Sequence, residues 1–152
     1  MSTAVRARAP RVALAVQYGV SRRALPAGPT LRRWAQAAAA RDVDVTLRFV
    51  GRREGRRLNR AFRGRDYATN VLTFVYPGTA TLAGDIAVCA PVVAAEARAR
   101  AIRRADHLAH LVVHGMLHLQ GYDHARRADA RHMERRESDI LTGLGLPDPW
   151  HA

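Results

Sequence analysis

Three histidines in the stretch HGMLHLQGYDH, at positions 114, 118 and 124, have the type and spacing that hold a transition metal. His114 and His118 are four residues apart in a helical pattern, so both side chains leave one helix face about a turn apart. Gly121 then breaks the helix. Glycine past a helix end takes the left-handed conformation that reverses the chain, which would return His124 over the same face. Three neutral imidazoles with a fourth position left to water make a catalytic zinc site, whereas a closed structural site would want four ligands. The competing reading is three packed or capping histidines, since Leu111, Val112, Val113, Met116, Leu117 and Leu119 make the helix apolar nearly all round and hence buried. Burial argues for the metal, because clustered imidazoles without an ion would each need other partners for their ring nitrogens.

The spacing H-x-x-x-H-x-x-G-x-x-H is shared with the metzincin proteases, whose glutamate directly after the first histidine acts as general base. Gly115 stands at that position and cannot take a proton, so peptide hydrolysis by that route lacks its base. A different leaving group or base must then be supposed, and zinc itself lowers the pKa of bound water to about 7 without help from a carboxylate.

Other polar residues surround this core. His107 and His110 fall on nearly the same helix face as the pair, so pattern alone could substitute His110 for one ligand; otherwise His110 supports a ligand, faces substrate or is simply packed. His132 and His151 read as surface residues. Asp123 is placed to cap the last helix, in preference to accepting a hydrogen bond from a ligand imidazole. Asp85, in GDIAV, sits at a strand start, either near the histidines or as a plain turn residue. Met133 and Glu134, at helical spacing with Glu137 and Ile140, read as a helix packed beside the site and not as a methionine turn.

The elements that must position these residues are legible in part. RVALAVQ (11–17), VDVTLRFV (43–50), NVLTFVY (70–76) and GDIAVCA (84–90) read as strands, the last two as a hairpin or a parallel pair. Helical spacing runs from Leu31 to about Arg41 and over 54–64, the latter with Leu58, Ala61 and Phe62 inward. From Pro91 onward three helices follow, near 91–103, 105–120 and 125–144. The fold expected is α+β: a small mixed sheet of about four strands against about five helices, with the metal site on a C-terminal helix and the turn after it. Residues 1–152 read as one domain, with 1–10 as a ragged tail.

The formal net charge is +12, and all 25 basic residues are arginine. A GC-rich genome accounts for arginine in place of lysine but leaves the positive field intact. Such a field attracts polyanions, with nucleic acid ahead of membrane as partner. Cys89 is alone, which excludes an internal disulfide and suits a reducing compartment. No apolar run approaches the ~18–20 residues of a membrane helix, and the N-terminus lacks a signal-peptide core, so a soluble cytoplasmic protein is expected. The absence of acid before Asp42 gives the N-terminus a composition resembling a transit peptide, the weaker reading.

HGMLHLQGYDH, with NRAFRGRDYATNVLTF and GDIAV upstream, resembles the YbeY family of bacterial ribosomal RNA maturation endoribonucleases, over roughly residues 43 to 145. The resemblance implies a compact α+β fold and one Zn2+ ion held by His114, His118 and His124, with no covalent cofactor. It further implies cleavage of single-stranded RNA in 16S rRNA 3′-end maturation and ribosome quality control, so that the partners are small-subunit rRNA and the ribosome. The family's important arginine falls on Arg63, following Asn59 and Phe62; phenylalanine replaces the usual tyrosine, Ala68 a frequent proline, and FVYPG a more typical phenylalanine-proline continuation.

Arg63 and His114 are therefore the expected catalytic residues, with Arg63 stabilising charge on nonbridging phosphate oxygens through its planar fork of donors. By charge alone Arg63 is one solvated arginine among many. Arg56, Arg57, Arg60 and Arg65 beside it form a track for an RNA backbone, and Phe62 or Tyr67 would stack on bases if exposed, although Phe62 is expected in the core. The rival functions are a metal hydrolase of another bond, such as peptide, and a non-catalytic RNA assembly factor.

Overall fold

A computed structural model describes residues 8–150 of the chain. Strand β1 (Val12–Tyr18) leads through helix α1 (Gly28–Ala38) to β2 (Val43–Val50). Helix α2 (Arg52–Arg63), the pair β3 (Val71–Val75) and β4 (Leu82–Cys89), then α3 (Ala90–Ala99), α4 (Arg104–Leu119) and α5 (Arg127–Gly143) complete the elements of the described residues. The sheet order is β1-β2-β4-β3, with β1, β2 and β4 parallel and β3 antiparallel on the edge. The α+β class holds, with four strands and five helices, and β3–β4 form the hairpin option.

Alternation decides which face of the sheet is covered. Val43, Val45, Leu47 and Phe49 are all buried, and the register puts Ile86 of β4 beside Leu47 on that same face. Each such side chain contributes about 1.5–3 kcal/mol on full burial. Helix α4 lies on this face at the closest range its residues permit: a Cβ on Gly115 would stand 2.8 Å from Ile86 Cγ2. Gln120, just past α4, fixes the helix sideways. Its Nε2 donates to Ala38 O at 2.8 Å and its Oε1 accepts from the Ala40 N–H at 2.7 Å, so α1 covers one flank of α4. His114 and His118 project from the other flank, which therefore looks toward β3 and the open edge.

Helix α2 packs on the opposite face, and here the expected inward set is corrected. Its buried residues are Gly55 and Asn59, with Leu58 half-buried, whereas Ala61 is exposed and Phe62 is 66% exposed. The reason is local: Gly55 lets the helix approach the Cys89 side chain, and Asn59 Nδ2 donates to Tyr67 O at 2.8 Å. The 55–59 stripe is thereby turned inward and Phe62 lies beyond it. Gly64 closes α2 in the left-handed conformation, at φ 67°.

Two helix boundaries also differ from expectation. Helix α3 ends at Ala99, where Ala101 takes a positive φ of 53° and the Ile102 N–H returns to Ala97 O, a left-handed stop without glycine. Asp123 does not cap α5: its Oδ1 accepts from the N–H groups of His124 and Ala125, which holds the chain in a turn and delays the helix to Arg127. Of the expected 1–10 tail, residues 1–7 lie outside the described residues, as does His151. Arg8 pairs with Asp42 at 3.2 Å, and the Arg11 N–H reaches the same carboxylate. Among the described residues no helix is long and apolar enough to cross a membrane.

Candidate metal centre

His114 and His118 come from α4, and His124 from the turn after it, where Gly121 takes the positive φ of 102° that the reversal needs. The three rings gather on one side of the helix. Their centroids are 6.4 Å apart for 114–118, 5.6 Å for 114–124 and 6.0 Å for 118–124. Tetrahedral zinc with nitrogens at about 2 Å would hold such centroids about 5 Å apart. The rings stand slightly wider than that, and among the described residues no three His, Cys, Asp or Glu side chains form a closed metal cage.

The donor chemistry nonetheless fits a metal. His114 Nδ1 lies 2.6 Å from Glu137 Oε2, and His118 Nδ1 lies 3.0 Å from Tyr122 O. A carboxylate and a carbonyl only accept, so both imidazoles donate from Nδ1, and Nε2 is the ring atom left to face an ion. Burial holds the His118 pKa below its usual value, against the bond to Tyr122 O and helped by the neighbouring histidines. A neutral ring is the ligating form.

Glu137 of α5 is the residue that sequence reasoning assigned only to packing. It is 1% exposed and also meets His110 Nε2 at 2.9 Å and accepts from Trp150 Nε1 at 2.8 Å. Burial pushes its pKa up, but the hydrogen bonds and charges of His110 and His114 outweigh that and bring it down to about 2. His110 thus supports His114 through Glu137, and Trp150 closes the group edge-on to the His110 ring. The available signal was a carboxylate on the inward face of the α5 pattern, in line with Met133 and Ile140. Met133 is buried within that helix and forms no methionine turn.

Other candidates fall elsewhere. His107 points to Glu96, at 2.9 Å, away from the cluster. His132 is exposed and stacks on Tyr122. Asp85 is corrected: it shares a sheet face with Thr46 and Phe74, opposite α4, and its carboxylate engages Tyr76, raising the tyrosine's pKa. Strand periodicity puts Ile86, not Asp85, beneath the histidine helix. Asp123, spent on the turn backbone, stays close enough to His118 for its charge to oppose the burial effect.

Arg63 ends α2, exposed, on the far side of the β3 edge from α4; among the described residues no hydrogen bond or ion pair joins it to the histidines. Arg57, Arg60 and Arg65 are likewise exposed and outside any ion pair among the described residues. Arg56 departs from the expected track, because Asp66 grips it in a two-pronged pair at 2.7 and 2.9 Å.

Fold and site together define the class: an α+β protein with a mixed sheet and a triple-histidine cluster beside its antiparallel edge strand. The family model described as Endoribonuclease YbeY matches residues 29–145, and the chain belongs to that family. It is 49% identical over 153 residues to a protein of Aromatoleum aromaticum named Endoribonuclease YbeY, covering 99% of both chains. A Bordetella pertussis protein of the same name is 51% identical over 157 residues, covering 95% of this chain and 99% of its own. The solution structure of a Thermotoga maritima protein superposes with a TM-score of 0.56 at 24% identity, covering 91% of this chain and 99% of that one, which shows the shared fold.

Proposed function

We propose that the protein is a single-domain, cytoplasmic, zinc-dependent endoribonuclease that cuts single-stranded RNA. In this reading His114, His118 and His124 hold the ion and Arg63 faces the reacting phosphate. The observation that carries it is the pair of rings each held through Nδ1, which leaves both Nε2 atoms beside a third histidine. A divalent ion there supplies positive charge and an activated water at neutral pH.

The chain's own residues do the rest. Glu137 and the Tyr122 carbonyl fix ring orientation, as partners behind metal ligands generally do. Gly115 leaves no room for a protease-type glutamate, because any side chain at that position meets Ile86. An RNA strand crossing the β3 edge would meet the arginines of α2 on one side and the histidines on the other. Arg57, Arg60 and Arg65 would draw the phosphates in, and Arg63 would offer its donors to the charge developing on them. Family membership supports RNA as substrate, and the resemblance supports a place in 16S rRNA 3′-end maturation and ribosome quality control.

The test combines elemental analysis with incubation on single-stranded RNA, duplex RNA and an unfolded polypeptide. About one zinc per chain is expected, with cleavage of single-stranded RNA only, lost in His114→Ala and Arg63→Ala. Cleavage unchanged in both variants refutes the assigned roles. Salt-sensitive RNA binding without cleavage at full metal occupancy would favour the assembly-factor reading.

A further inference from the structure

Six large apolar side chains are exposed among the described residues, and three aromatic ones, Phe62, Tyr67 and Tyr76, belong to α2 and the segments after it, on the sheet face away from α4. Clustering of this kind marks a surface that meets a partner. Phe62 is the most exposed of the six. Its ring leans on Phe74 of β3, with centroids 4.8 Å apart and planes tilted by 58°, so the ring is braced from the sheet while two-thirds of the residue stays open to water.

The neighbours are fixed as well. Asn59 clamps the Tyr67 carbonyl, setting the loop after α2 against the helix. Tyr76, just past β3, lines one cavity with Phe74 and Asp85. The aromatics are therefore held in place before any partner arrives, which reduces the ordering cost of binding.

Charge selects the partner. Residues 52–65 carry seven arginines and a single carboxylate, Glu54, which Arg48 holds in a two-pronged pair at 2.8 and 2.9 Å. An apolar protein surface would not be matched by such a rim, whereas a strand of unpaired nucleotides offers phosphates for guanidinium groups and flat bases for aromatic rings.

We propose that Phe62, braced by Phe74 and flanked by Tyr67, is a base-stacking platform that holds one unpaired nucleotide of the RNA while the strand crosses the β3 edge toward the histidines. The inference rests on the RNA reading above and adds to it a residue that selects unpaired bases, since a base within a duplex has no free face to give. Phe62 contributes binding and position; it touches no reacting atom.

The experiment measures binding of a short single-stranded oligoribonucleotide by fluorescence anisotropy, with chelator present so that nothing is cut. A second oligonucleotide of equal charge carries abasic positions. Wild-type protein is expected to bind the intact strand at least about tenfold more tightly than the abasic one. Phe62→Ala should lose most of that difference while keeping its affinity for the abasic strand, and Phe62→Trp should retain the difference and show indole quenching. Intact-strand affinity unchanged in Phe62→Ala overturns the platform and leaves the RNA reading standing. Failure of the wild-type protein to bind either strand overturns both.

Discussion

Replacing Glu137 with glutamine tests the support behind the histidine cluster. The carboxylate is almost wholly buried and is approached by three nitrogens at 2.6 to 2.9 Å. Glutamine keeps the shape but removes the charge and turns an NH2 group toward at least one N–H donor. The folded pKa is depressed, from 4.5 to about 2. Linkage converts that depression to at most about 3 kcal/mol of stability, fully present above the unfolded value and lost as pH falls through the folded one. In chelator, Glu137→Gln should therefore be up to about 3 kcal/mol less stable at pH 7 by urea unfolding, with Tm lower by about 6–12 °C. The deficit should shrink to less than half near pH 3, because the unfolded wild type has then taken up a proton that the folded state, with its pKa of about 2, still largely refuses. Zinc affinity should drop about 10- to 100-fold as His114 loses its orienting partner. A variant within about 0.5 kcal/mol of wild type at pH 7, or a deficit unchanged at pH 3, would refute the claim that the carboxylate organises this group.

Other substitutions probe separate parts of the molecule. Gly115→Ala places a methyl against Ile86 and should cost about 1–3 kcal/mol in urea unfolding; an unaffected midpoint would mean α4 does not sit so tightly on the sheet. Gln120→Ala removes three hydrogen bonds, two of them to the α1 end, and should cost about 1–3 kcal/mol, most visibly as faster amide exchange around Ala40. Asp66→Asn releases Arg56 and should steepen the salt dependence of RNA binding by about one counterion; an unchanged slope would place Arg56 off the RNA path.

The convergence of His114, His118 and His124 was legible because its signals are local. A four-residue interval and a glycine turn are properties of a few adjacent peptides, and the positive φ at Gly121 follows from chain chemistry wherever the helix packs. The strand at 43–50 was equally readable, since strict alternation states which side chains are buried. Phe62 was misjudged because hydrophobicity reports a tendency to be inside, whereas the inward face of α2 was chosen by a glycine that permits close approach and an asparagine that bonds a loop. The place of Asp85 stays open in the sequence because nearness to the histidines depends on sheet face, and a shift of one residue reverses it.

By itself, then, the sequence determined the α+β class, the triple-histidine motif with its missing glutamate and the positive charge around Arg63. Each is a matter of residue type and short-range periodicity. Tertiary structure alone decided that Glu137, 23 residues beyond His114, and Trp150 converge behind the cluster. It alone decided that Asp66 takes Arg56 out of the free arginines, and that α2 and α4 stand on opposite faces of the edge strand. The physical reason is that burial, hydrogen-bond pairing and sheet face depend on how distant segments pack, and no window of neighbouring residues contains that information.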